Sequence, residues 1–239
     1  MEWRDEGVVI GLRRLGESSC VLEAMTRAHG RHLGLVRGAR SVRYAAALQP
    51  GNSVGLVWRA RLDEHLGAFA IEPLALRAGR FLPNATALHG LAIIGALLRL
   101  LPERDPHDNL YDALTSVIEA LDGPRAPALV ARFEARMLWE CGFALDLTQC
   151  ASTGARDDLI YVSPKSGRAV CAAAGAPFSD RLLPLPAFLR EEGPEPTPAE
   201  VADAFALTGY FLSRELFAPR GLKLPEARAA LINGLRRER

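Results

Sequence analysis

Gly7-Val-Val-Ile10, Ser19-Cys-Val-Leu22 and Arg31-His-Leu-Gly-Leu-Val36 are three short apolar runs, broken at Leu15-Gly16-Glu17 and Ala28-His29-Gly30. Runs this short, separated by glycine-bearing turns, read as strands of one antiparallel meander. Two further runs, Ser53 to Trp58 and Leu66 to Ile71, flank a charged turn at Arg61-Leu-Asp-Glu64. About five strands in the first 76 residues, with no helix between them, predict a small closed β-barrel of the OB type. The stretch from Gly38 to Gly51 is longer than a hairpin needs, so it is expected to be a functional or mobile loop.

Beyond a connector at Arg77 to Asn84 the apolar period changes from two to between three and four. Thr86 to Leu101 is strongly apolar and stops at Pro102. Leu110, Leu114, Val117, Ile118 and Leu121 repeat at helical spacing before Gly123, and Leu129, Phe133 and Met137 form a third stripe. Thr197-Pro-Ala-Glu200 is a capping box for a helix reaching about Phe217, and Pro225-Glu226 opens a last helix. Residues 145–175 look irregular, with one strand pair around Leu159–Val162 and Ala169–Cys171. The predicted class is therefore α+β: a barrel domain over 1–76, then a helical body over 84–239 carrying a small irregular insertion.

The net charge of +1 hides an asymmetry. Residues 1–80 carry twelve Lys/Arg against eight Asp/Glu, and between Arg13 and Arg61 nine arginines face only Glu17 and Glu23. A basic front half suits a polyanion. Arg37, Arg40 and Arg43 recur every third residue at the mouth of the predicted barrel, where such folds bind nucleic acid with cations for phosphates and aromatic platforms for bases. Arg13, Arg14 and Arg31 join them as candidate DNA contacts. Tyr44 and Trp58 are candidate platforms, although Trp58 reads first as a core residue. On the helix from Leu129 to Cys141, Arg132 and Arg136 lie one turn apart beside Phe133 and Met137. Arginines beside an apolar groove suit an acidic peptide ending in an aromatic residue and a carboxylate.

Several motifs occur together and in order: Gly7-Val-Val-Ile-Gly11, Leu15-Gly-Glu-Ser-Ser19, Thr26-Arg27, His29-Gly30, Gly38-Ala-Arg-Ser-Val-Arg43 and Leu48-Gln-Pro50. Arg132-Phe-Glu134, Gly142-Phe143, Leu145-Asp146, Cys150, Phe178-Ser179 and Ser213-Arg-Glu-Leu-Phe217 follow. Together they resemble the RecO family of bacterial recombination mediators over most of the chain. The resemblance implies a non-enzymatic protein that binds single- and double-stranded DNA, anneals complementary strands and helps load recombinase onto DNA coated by single-strand-binding protein (SSB). It also implies two protein partners, RecR and the SSB C-terminal tail, the latter at Arg132, Phe133 and Arg136. An OB module for RNA, or a hydrolase, would be the rival readings.

Some members of that family hold zinc with two Cys-x₂-Cys pairs. Here Cys150-Ala-Ser-Thr153 and Cys171-Ala-Ala-Ala174 keep one cysteine of each pair. Neither a hydroxyl nor a methyl completes a four-ligand site, so no metal and no cofactor is expected. The sequence offers no Gly-x₄-Gly-Lys-Ser/Thr loop, no His-Glu-x₂-His and no Gly-x-Ser-x-Gly elbow, and so no catalytic residue is nominated. Scattered cysteines and a polar, acidic N-terminus point to the cytoplasm, and the resemblance implies association with the nucleoid.

Overall fold

The computed structural model describes residues 1–191 and 193–237, apart from the side chains of residues 42, 43, 236 and 237. It forms two compact units, Met1–Asp122 and Gly123–Arg239.

The first unit is built on five strands: β1 (Glu2–Leu15), β2 (Ser19–Thr26), β3 (Gly30–Val36), β4 (Ser53–Arg59) and β5 (Ala68–Ala75). A four-residue helix α1 (Val42–Ala45) interrupts the long connection before β4. The strands close into a barrel in the order β1-β2-β3-β5-β4, antiparallel except where β3 meets β5. That is the predicted small barrel, with the Greek-key order of an OB-type fold. Its interior holds Leu22, Val36, Val54, Leu56, Trp58 and Phe69, all buried.

β1 begins five residues before the first apolar run. Trp3 pairs with Trp58 across the β1–β4 ladder, and their rings stack with centroids 5.6 Å apart. His29 stacks on the other side of Trp3 at 3.9 Å, and Asp5 Oδ2 lies 2.8 Å from its Nδ1. His32 is enclosed edge-on by Trp3, Trp58 and Phe69. Gly34 makes room for this cluster: a Cβ there would sit 2.4 Å from the Phe69 ring.

The connector at 77–84 contains a short helix α2 (Ala78–Phe81) that buries Phe81. It leads to α3 (Ala85–Leu98), whose N-cap Asn84 accepts from Ala87 N, and then to α4 (Asp108–Glu119). The compact units divide at Gly123, so these helices belong with the barrel rather than with the later ones. Ion pairs accompany that arrangement: Arg27 reaches Glu6 and Asp112, and Arg77 reaches Glu119.

The second unit contains α5 (Ala126–Glu140), strands β6 (Leu159–Val162) and β7 (Ala169–Cys171), a short helix α6 (Ala172–Gly175), β8 (Leu183–Pro184), α7 (Pro198–Phe211) and α8 (Glu226–Arg237). The irregular insertion thus contains the predicted strand pair, extended by β8 into a three-stranded sheet. Both arms of the capping box form at Thr197 and Glu200. At the centre of this unit, Glu134 on α5 accepts two bonds from Arg228 on α8 at 2.8 and 3.1 Å. Thr208 on α7 donates to the same carboxylate. Glu134 is fully buried, and Arg228 is 9% exposed at its side chain.

Candidate nucleic-acid interface

The barrel's cationic end is made by the β1–β2 hairpin and the segment after β3. β1 pairs with β4 only from Glu2 to Val8, while its pairing with β2 continues to Leu15↔Ser19. A register shift between Val9 and Gly11 marks the departure, as a β-bulge does. The turn uses Gly16 at φ +64°, a left-handed conformation that glycine adopts without a Cβ penalty. Gly38 does the same after β3. Ala39 N then donates to Ser18 O at 2.8 Å, tying the two segments together. Arg13, Arg14, Arg37 and Arg40 are brought to this one end, all exposed and none in an ion pair among the described residues. The side chain of Arg43 lies outside the described residues.

Two expectations change here, at the 38–51 segment and at Arg31. The 38–51 segment is not a bare loop: it folds as turns around the short helix α1. Ala47 and Leu48 are buried, and Asn52 Nδ2 donates to the Ala46 and Ala47 carbonyls at 2.7 and 3.3 Å. Arg31 is not a free cation. Its side chain is 13% exposed, paired with Glu23 at 2.8 Å and donating to Leu101 O at 3.2 Å. Trp58 is a core residue, with Nε1 donating to Leu66 O at 3.0 Å. Tyr44 is half-buried and packs on the barrel core, which leaves less of its ring for a base than an exposed platform would offer.

A second candidate site lies on α5. Arg132, Ala135, Arg136 and Trp139 share one helix face by their spacing and line a cleft of about 390 Å³ with Leu147 and Phe188. The Arg132 guanidinium lies 5.8 Å from the Phe188 ring centre and donates to Glu191 O at 3.1 Å. Arg136 lies 4.4 Å over Trp139 and pairs with Glu140 at 2.8 Å. Phe133, in contrast, is 1% exposed on the opposite face, beside Glu134 and Met137. It belongs to the core and cannot contact a peptide in this cleft. Trp139, which the sequence reading passed over, is 53% exposed and supplies the aromatic wall. Its position three residues after Arg136 was the available signal.

Cys150 and Cys171 do meet. Cys171 N lies 3.3 Å from Cys150 Sγ, and Thr153 Oγ1 lies 3.7 Å from Cys171 Sγ. Burial opposes ionisation of Cys150, but the Thr153 hydroxyl and the Cys171, Thr153 and Ser152 amides outweigh it and hold the thiol below its ordinary range. The Thr153 hydroxyl thus stands against both sulfurs. Among the described residues no group of three or more His, Cys, Asp or Glu could hold a metal, and two thiols with a threonine do not fit a four-ligand zinc centre.

The family model described as Recombination protein O N terminal matches residues 1–76, and that described as Recombination protein O C terminal matches 84–223. The chain belongs to the RecO family. It is similar to the DNA repair protein RecO of Methylocella silvestris, at 60% identity covering 97% of this chain and 95% of that one. The proteins of the same name from Mesorhizobium japonicum and a Chelativorans species are 57% and 58% identical, each covering 99% of this chain. They cover 94% and 96% of the relatives' own lengths. No helix among the described residues is long and apolar enough to cross a membrane.

Proposed function

We propose that this chain is a non-enzymatic mediator of recombinational DNA repair, acting at the nucleoid. In this reading it binds single- and double-stranded DNA through the barrel end, anneals complementary strands and, with RecR, helps load recombinase onto SSB-coated DNA. The observation that carries the reading is the group of four exposed, unpaired arginines on two segments joined by the Ala39–Ser18 bond. Phosphate contacts of this kind give affinity without sequence preference, as a protein acting on any damaged stretch requires. The SSB tail, acidic and ending in an aromatic residue and a carboxylate, is assigned to the α5 cleft. Arg132 would meet its carboxylate, while Trp139 and Phe188 would meet its side chain.

The test is a salt series with a single-stranded oligonucleotide for the wild type and the variant R13A/R14A/R37A/R40A. Each lost contact should flatten d log K/d log[salt] by about 0.7, giving a change of roughly 2 to 3 for the set. Equal slopes would refute the interface. In the same experiment Arg132→Glu should abolish binding of an SSB-tail peptide and leave the oligonucleotide isotherm unchanged.

A further inference from the structure

The β1–β2 hairpin carries more than charge. After Val9 exchanges its last backbone bonds with Gly51 and Asn52, the segment Gly11–Leu15 is paired along one edge only. It extends roughly 16 Å at about 3.3 Å per residue. Residues opposite one another across an antiparallel pair share a face, and successive residues alternate. Leu12 faces with Leu22, and Arg14 with Cys20; Leu22 and Cys20 both belong to the barrel interior. Arg13 and Leu15 therefore lie on the other face, with Val21 and Ser19. Each face of the ribbon thus ends in one leucine and one arginine. Leu12 is 40% and Leu15 49% exposed, so two large apolar side chains stand in solvent at the cationic end. Trp3, Trp58 and Phe69 pack together within the barrel and cannot supply the base contact there.

We propose that this hairpin is a pin that occupies the branch point of forked DNA, one strand passing over each face. Leu12 lies against the last base of one strand with Arg14 on its phosphates, and Leu15 with Arg13 serves the other strand. Apolar side chains entering between base steps unstack them, and cations on both faces compensate two separated backbones rather than one. A single-stranded ligand would use only one of the two faces. The proposal rests on the DNA interface assigned above.

The experiment compares a forked duplex, a blunt duplex of the same sequence and a single strand, with 2-aminopurine at the branch-point pair. The wild type should prefer the fork to the blunt duplex by on the order of tenfold, about 1.4 kcal/mol. Fluorescence at the branch point should rise on binding. L12S/L15S should lose both the preference and the rise while keeping the salt slope, which the phosphate contacts set, and L12S or L15S alone should lose most of the preference. Both leucines are exposed, so thermal melts of the variants should match the wild type. A wild type without fork preference, or a double variant that keeps it, overturns the pin. The variant R13A/R14A/R37A/R40A separates the two readings. If it weakens binding to every DNA while no fork preference exists, only the pin fails; if it changes nothing, the interface fails and the pin with it.

Discussion

Acidification should loosen the barrel through His32. This side chain is 2% exposed, enclosed by Trp3, Trp58 and Phe69, with Nδ1 2.9 Å from the Leu33 carbonyl. Burial pushes its pKa from 6.5 down to about 4. In the unfolded chain the imidazole takes up a proton near pH 6.5, whereas in the barrel it refuses one until about pH 4. The unfolded state therefore binds more protons across that window, and stability falls as the pH is lowered through it. Each unit is worth about 1.4 kcal/mol, so the full loss by pH 4 is about 3 kcal/mol. The assay is urea unfolding at pH 7.5, 6.5, 5.5 and 4, followed by tryptophan fluorescence. A Trp139→Phe background leaves Trp3 and Trp58 to report on the barrel alone. In His32→Phe the aromatic packing is retained and the titrating group is gone. The difference in unfolding free energy between parent and variant should move by about 3 kcal/mol in the variant's favour between pH 7.5 and pH 4. His29 and Asp5 are present in both proteins and cancel. Identical pH slopes would refute the reasoning.

Glu134→Ala should destabilise the second unit by about 3–5 kcal/mol, because it leaves the Arg228 guanidinium buried without its carboxylate. Glu134→Leu combined with Arg228→Met should recover most of that loss in thermal melts, and a double variant no better than the single one would contradict the assignment. Gly34→Ala should cost the barrel about 1–3 kcal/mol in urea unfolding, since the added methyl would meet the Phe69 ring at 2.4 Å.

The barrel was legible in the runs at 7–10, 19–22 and 31–36 because each strand buries one face and turns at glycine. What those runs concealed was the first half of β1. Glu2, Arg4 and Glu6 made residues 2–6 look like a polar tail, yet Trp3 and Asp5 alternate with them and point inward. Period two was present, with a tryptophan and an aspartate in place of aliphatics. Asp5 could be accommodated because its carboxylate meets the His29 ring and the Ala28 amide, partners 23 and 24 residues away. The 38–51 segment was misread for a related reason: its order comes from Asn52, which lies outside the segment and ties its carbonyls to the amides of Arg77 and Ala78.

The interface shows the same limit in its charges. Composition located nine arginines between residues 13 and 61 but could not say which were available. Glu23, one of two acids in that stretch, decides the matter for Arg31: it takes Arg31 on one oxygen and Arg99 on the other, both at 2.8 Å. Arg31 stands opposite Met25 and Glu23 opposite Leu33, so the two charges are diagonal neighbours on one face of β2 and β3, a proximity only the register shows. Among the described residues Arg13, Arg14, Arg37 and Arg40 pair with no acid, neither Glu17 nor one from beyond the stretch. On α5 the sequence named Phe133 because it adjoins Arg132, but neighbours in a helix diverge by about 100°, and the face that carries Arg132 returns at 135, 136 and 139. Surplus charge is readable from composition, whereas the part of it left for a ligand is set by pairing and register. A variant that deletes Glu23 should therefore change DNA binding about as much as one that deletes an arginine, by releasing Arg99, while Arg31 keeps Glu103 at 3.7 Å and the Leu101 carbonyl.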